Sequence, residues 1–163
     1  MDYNQERAIV WDCEKTIRKY YHHVDLGEFD EAVALFTSDV LWEVLGVKLR
    51  SREILLKGLH GSLADGTIRH IVTNTLVNVV DENNANVKFY LSIYYTQGIR
   101  IENNDGPLPF VGPHRIMDQG DTMIRTEQGW RTSYRWGRPI FRRNINQPIQ
   151  LETWAGNAPT DMQ

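Results

Sequence analysis

Hydrophobic and polar positions alternate with a helical period near the start of the chain. Apolar residues there recur every three or four positions and would share one helical face: Ile9, Cys13, Ile17, Tyr20 and Val24. This spacing predicts a long amphipathic helix over residues 5–25. A second helix is predicted over residues 28–36, with acidic residues in its first turn, and a third over residues 51–61, with Ser51 as its N-cap.

The pattern changes after residue 69, where β-branched and aromatic residues predominate. Short polar or glycine-containing turns separate four predicted long strands, which cover residues 71–80, 86–97, 115–126 and 130–140. Strands joined in this way form an antiparallel meander. An earlier alternation around Gly46 predicts a short hairpin, and residues 101–113, rich in Asn, Asp, Gly and Pro, predict an exposed loop.

The order of these elements predicts an α+β fold in which helices cover one face of a curved antiparallel sheet. A bent sheet closed by helices leaves a concave apolar cleft, the usual form of a small-molecule site. With 163 residues and 41% apolar content, residues 1–141 are expected to form one domain. The polar extension over residues 142–163 is expected to cover the cavity, to contact a neighbouring subunit or to be disordered.

Composition narrows the functional class. The net charge of −3 is spread along the chain, which argues against nucleic acid or an anionic membrane as the partner. Cys13 is the only cysteine, so an internal disulfide or a cysteine-based zinc site is not expected. His22 and His23 have no further ligands at a recognisable spacing, so we expect no metal. The polar N-terminus resembles no signal peptide, and we expect a cytoplasmic protein.

Asp25, at the end of the first predicted helix, and His70, at the start of a strand, are the candidates for chemistry. A carboxylate can fix the tautomer of a histidine and stabilise its protonated form, so such a pair works as a general base near neutral pH. Taken separately, each residue also has a structural interpretation: His70 as a hydrogen-bonded strand residue and Asp25 as a turn residue.

Several motifs together resemble a known family. They are Tyr20 five residues before Asp25, the turn Gly27-Glu28-Phe29-Asp30, Trp42, His70-x-x-Thr73-Asn74 and Gly129-Trp130-Arg131, with Arg135 beyond it. Over residues 5–141 the chain is similar to the SnoaL-like branch of the nuclear-transport-factor-2-like superfamily, which includes scytalone dehydratase, bile acid 7α-dehydratases and hexachlorocyclohexane dehydrochlorinase. The resemblance implies a cystatin-like α+β barrel, a cone-shaped sheet closed by three N-terminal helices with an Asp/His pair inside.

The resemblance also implies roles for individual residues. His70 would abstract a proton, Asp25 would orient it, and Tyr20 or Arg135 would stabilise a departing anion or a developing oxyanion. Tyr21 competes with Tyr20 for this role. Strand alternation predicts that Arg135 shares a face with Arg131 and Ser133, and that Asn74 shares one with His70. Four residues are predicted to line the ligand site: Trp42, Asn74, Tyr90 and His114.

The function that follows is a cofactor-independent lyase or isomerase acting on a small hydrophobic or aromatic ring compound. Because related domains associate through the sheet, a homodimer or homotrimer is expected. Two alternatives remain open at this point: a non-catalytic domain for ligand binding or protein assembly, and the small subunit of a ring-hydroxylating dioxygenase.

Overall fold

The computed structural model describes residues 1–63, 65–103, 106–108 and 112–143, so nearly all of the predicted C-terminal extension lies outside the described residues. The described helices are α1 (Tyr3–Leu26), α2 (Phe29–Val33) and α3 (Arg52–Leu63), with a short 3-10 helix at Ile101–Asn103. The strands are β1 (Phe36–Val44), β2 (Val47–Arg50), β3 (Gly66–Val79), β4 (Asn84–Gln97), β5 (Arg115–Thr126) and β6 (Gly129–Arg142).

The strands form one six-stranded sheet in the order β2-β1-β6-β5-β4-β3. The predicted hairpin, the antiparallel meander and the α+β class are confirmed. One pairing was not predicted: β1 lies parallel to β6, although residues 45–128 lie between them in the chain. Because periodicity describes only local structure, it carries no signal for such a contact.

Helix α1 packs on the sheet with the face that its periodicity predicts. Asp2 and Gln5 form a reciprocal capping box at its start, and Gly27 ends it in the left-handed conformation, with φ 76°. The predicted apolar positions are buried, and Thr16 and Tyr21 are buried beside them. Both Tyr20 and Tyr21 therefore point into the core.

The end of α2 and the start of β3 differ most from the sequence prediction. Helix α2 ends at Val33, and Phe36, predicted as helical, is a buried residue at the start of β1. Strand β3 begins at Gly66 rather than at Ile71. A Cβ atom at Gly66 would lie 2.5 Å from the carbonyl oxygen of Thr96, so the absence of a side chain there permits close packing of β3 against β4.

A β-bulge in β3 makes the predicted alternation of this strand wrong beyond Thr73. Asn74 adopts φ 52°, and the register with β4 shifts between Thr73 and Leu76. Val72 and Val77 both pack against the core, whereas Asn74 is exposed. The bulge has therefore turned Asn74 away from the face that His70 occupies.

A second bulge, in β6, changes the direction of Arg135. Thr122 pairs with Tyr134 but Met123 pairs with Thr132, so β6 holds one more residue than β5 at this point. As a result Arg135 is buried on the same side as Thr132. The prediction that Arg135 shares a face with Arg131 and Ser133 is wrong, because the extra residue reverses the alternation.

Candidate active site

The C-terminal turn of α1 and the first half of β3 bring Asp25 and His70 together. Asp25 Oδ1 lies 2.6 Å from His70 Nδ1, and Asp25 Oδ2 accepts a hydrogen bond from the His70 backbone N–H at 2.9 Å. The neighbouring Arg69 donates to the Asp25 carbonyl oxygen at 2.8 Å. The helix end and the strand are thus fixed to each other at the pair itself.

This geometry assigns different tasks to the two ring nitrogens of His70. Because the carboxylate accepts from Nδ1, the neutral ring carries its proton there and leaves Nε2 free to accept another. The side chains of His70 and Asp25 remain 7% and 12% exposed. Both side chains are therefore mostly enclosed and keep a small exposed fraction.

Tyr21, rather than Tyr20, packs against the histidine. The ring centroids of Tyr21 and His70 are 4.8 Å apart with a tilt of 41°, and the Tyr21 hydroxyl donates to Gln119 Oε1 at 2.6 Å. Burial raises the pKa of Tyr21 well above its ordinary value, so the phenol stays neutral. In the sequence the two tyrosines are adjacent, and helical periodicity does not separate their roles.

Tyr20 lies instead in an aromatic cluster around Arg135. The Arg135 guanidinium carbon is 4.4 Å from the centre of the Tyr20 ring, and the rings of Phe36 and Trp42 are edge-on to Tyr20 at 5.0 and 6.3 Å. Burial raises the pKa of Tyr20 to about 12. Trp42, predicted to line the ligand site, is part of this cluster. Stacking of a guanidinium on aromatic faces is favourable when water is excluded.

Arg135 is fully buried and forms a bidentate ion pair with Asp121. Its Nε and Nη2 donate to the two carboxylate oxygens of Asp121 at 2.7 and 2.6 Å, and Thr132 donates to the same carboxylate at 2.8 Å. Burial alone would lower the pKa of Arg135, but the Asp121 carboxylate outweighs it and holds this pKa above its ordinary value. Nη1 faces the Tyr21 hydroxyl at 3.5 Å, which connects the ion pair to the histidine through one tyrosine.

Sequence reasoning missed Gln119 and Asp121. Both alternate along β5 with buried methionines at positions 117 and 123, so they point into the core. Polar residues at the inward positions of an otherwise apolar strand were the available signal, because a buried polar side chain needs a partner.

Two of the predicted ligand-site residues are not brought to the pair. Tyr90 is 50% exposed, because Phe89 and Leu91 on either side of it fill the core. Asn74 is exposed at the bulge. His114 is half-buried just before β5, edge-on to Tyr95, and its pKa is lowered by burial and by nearby arginines, first among them Arg115.

The described residues contain no group of three or more His, Cys, Asp or Glu side chains arranged to hold a metal ion. Within the same part of the chain, no helix is both long and apolar enough to cross a membrane.

A six-stranded curved sheet, helices on its inner face and a hydrogen-bonded Asp/His pair between helix and sheet define a cystatin-like α+β domain with a candidate general base. The SnoaL-like domain matches residues 5–136, and the chain belongs to this family. The resemblance noted in the sequence is therefore confirmed. No curated protein shows significant sequence similarity to the chain.

Solved structures share the fold at low sequence identity. A candidate scytalone dehydratase from Novosphingobium aromaticivorans superposes with a TM-score of 0.73 and 18% identity, covering 91% of this chain and 95% of that one. A cystatin-fold, NTF2-like protein from the same organism superposes with a TM-score of 0.67 and 19% sequence identity, covering 85% of each chain. A protein from Catenulispora acidiphila in complex with S-DNPA superposes with a TM-score of 0.65 and 19% sequence identity, covering 82% of this chain and 94% of that one.

Proposed function

We propose that this protein is a cofactor-independent lyase or isomerase that removes a proton from a carbon next to an activating group. The observation that carries the proposal is the 2.6 Å contact between Asp25 Oδ1 and His70 Nδ1, together with the second hydrogen bond to the His70 backbone. One carboxylate that accepts two hydrogen bonds from His70 fixes both the ring and the strand that carries it.

In the proposed mechanism, His70 Nε2 takes the substrate proton and becomes part of an imidazolium. Asp25 holds the Nδ1 proton and stabilises the positive charge, while the Tyr21 ring restricts rotation of the histidine. A well-positioned base of this kind contributes about 10²- to 10⁴-fold in rate. The charge that develops on the substrate then needs a stabilising group elsewhere in the site.

The family resemblance implies that Tyr20 or Arg135 stabilises the departing anion directly, but in the structure the contacts of both residues are with other protein groups. Arg135 directs its nitrogen atoms to Asp121 and to the Tyr21 hydroxyl, and Tyr20 packs on the same guanidinium. We propose that both act as positioning residues that hold Tyr21 against His70.

The substrate class in this proposal is a small hydrophobic ring compound, cleaved by loss of water or halide or isomerised. Its support is the SnoaL-like family and a structural neighbour named as a candidate scytalone dehydratase. A neighbour in complex with S-DNPA is consistent with the use of this fold to hold a ligand. We further propose a homodimer or homotrimer, which light scattering after gel filtration would establish.

The test compares the wild-type protein with His70→Ala and Asp25→Asn on a panel of hydroxylated and halogenated ring compounds, with product formation followed by mass spectrometry. His22→Ala is the matched control, because it removes an exposed histidine from the same helix end. We expect His70→Ala to lose at least roughly 10²-fold in turnover. The turnover of Asp25→Asn should lie between those of the wild-type protein and His70→Ala, and the His22→Ala control should keep full activity.

Circular dichroism would show whether the variants remain folded. Turnover that survives in folded His70→Ala would refute the mechanism. The non-catalytic alternative expects the pair to be separated or sealed, and the short contact with residual exposure favours the enzyme instead.

A further inference from the structure

Strand register places a charged residue, Arg115, on the same row of the sheet as His70. His70 of β3 pairs with Ile93 of β4, and Ile93 pairs with Arg115 of β5. Two strand spacings separate His70 from Arg115, which is roughly 10 Å between their Cα atoms. Directly opposite residues in antiparallel strands point to the same side, so the three side chains share one face.

The burial pattern identifies this face as the concave one. Along β5, Arg115 alternates in phase with the buried residues Met117, Gln119 and Asp121. On β4, Ile93 likewise packs against the core. Arg115 is only 6% exposed, so its side chain lies inside the molecule rather than on its surface.

Arg115 is nevertheless without a counter-charge among the residues that the structure describes. Its Nε is fully buried and has no hydrogen-bond partner. In the same part of the chain, no carboxylate forms an ion pair with its guanidinium. A cation buried in this way costs stability, because no protein partner replaces the water lost at Nε.

The surroundings of Arg115 are also positive. Burial lowers the pKa of Arg115, and Arg142, its direct partner on β6, lowers it further. His114 lies beside it with Arg143 near, and the groups that affect the pKa of His114 are all cations. Positive charge that is concentrated in a concave site attracts an anion.

We propose that Arg115 binds an anionic oxygen group, a carboxylate or a phosphate, on the ring compound whose proton His70 removes. The inference rests on the proposed function for the role of His70 and adds the chemical class of the substrate. A guanidinium offers two parallel N–H donors to such a group, and the Cα atom of Arg115 lies roughly 10 Å from that of His70 on the same face of the sheet.

Binding measurements can test this without turnover. Benzoate and benzamide share a ring and differ in charge, and phenyl phosphate distinguishes a phosphate site from a carboxylate site. Each would be titrated by NMR into the wild-type protein, Arg115→Met and Arg115→Lys. Arg138→Met is the control, because Arg138 is an exposed arginine paired with Asp118 on the sheet.

We expect the wild-type protein to prefer at least one of the two anions over benzamide by roughly tenfold or more. Arg115→Met should lose that preference, Arg115→Lys should keep part of it, and the control should keep all of it. The melting temperature of Arg115→Met without ligand should equal or exceed that of the wild-type protein, because the substitution removes an uncompensated buried charge.

Three results would overturn the inference: no saturable binding of either anion, a preference that Arg115→Met retains, or a loss of folding in Arg115→Met, which would give the guanidinium a structural partner. Failure of the proposed function is a separate outcome. If His70→Ala turns over substrate but Arg115→Met still abolishes anion binding, the anion site stands and the base assignment falls.

Discussion

Replacing Asp121 with asparagine should destabilise the protein strongly. The Asp121 carboxylate accepts three hydrogen bonds, two from Arg135 and one from Thr132, and both members of the ion pair are 0% exposed. In Asp121→Asn the Arg135 charge stays buried without its partner, a loss that costs about 3 to 5 kcal/mol. For a chain of this size, that corresponds to a fall in melting temperature of roughly 6 to 20 °C.

Urea unfolding followed by tryptophan fluorescence would measure the free energy of unfolding. Asp118→Asn is the matched control on the same strand, because its ion pair with Arg138 is largely exposed and should be worth about 0 to 1 kcal/mol. The double variant Asp121→Leu/Arg135→Met removes both charges and should recover most of the loss. A cost below about 1 kcal/mol for Asp121→Asn would refute the reasoning, since the pair would then contribute no more than a surface one.

Three further predictions concern the helix and the bulge. A tyrosine in the unfolded chain has a pKa near 10, whereas burial raises the pKa of Tyr20 to about 12, so its contribution to stability is complete below pH 10 and is lost as the pH rises toward 12. The free energy of unfolding in urea should therefore fall less steeply with pH over this range for Tyr20→Phe than for the wild-type protein. Equal slopes for the two proteins would contradict this. Cys13 is fully buried with a pKa raised to about 12, so iodoacetamide should label it only on unfolding, as mass spectrometry would show; rapid labelling of the native protein would be the contrary result. Asn74→Val should cost about 1 to 3 kcal/mol in thermal unfolding while Asn74→Gly is nearly neutral, because φ is 52° there; similar melting temperatures for the two would argue against the bulge.

The parts of the fold that could be predicted from sequence are those with a sustained period. The buried face of α1 extends from Ile9 to Val24 with one spacing, and the meander strands are long and separated by clear turns. The bulges at Asn74 and near Ser133 were missed, because a single additional residue reverses the alternation and leaves no trace in composition. These two errors placed Asn74 inside the molecule and grouped Arg135 with the wrong neighbours.

The candidate site could be predicted only in part. The reason is the distance along the chain between its residues, and not a β-bulge. Asp25 and His70 are 45 positions apart, and only the family resemblance linked them before the structure showed the contact. Asp121 and Arg115 needed no such resemblance, since both occupy inward positions of β5 that strand alternation alone identifies. A charged residue at an inward position of a predicted core strand is itself the signal for a buried ion pair or a ligand site.

The two buried arginines of the sheet, Arg115 and Arg135, face the same side but differ in whether a carboxylate pairs with them. Arg135 has its charge satisfied by Asp121, which lies six residues along β5 from Arg115, or roughly 20 Å away. Arg115 lies level with His70 and has no such partner among the described residues. A guanidinium whose Nε and Nη2 already donate to a carboxylate has little to offer a substrate, whereas Arg115, without such a partner among the described residues, gains more from binding an anion. For this reason we expect Arg115 to bind the negatively charged group of the substrate. We expect the aromatic cluster around Arg135 to hold Tyr21 and His70 in position.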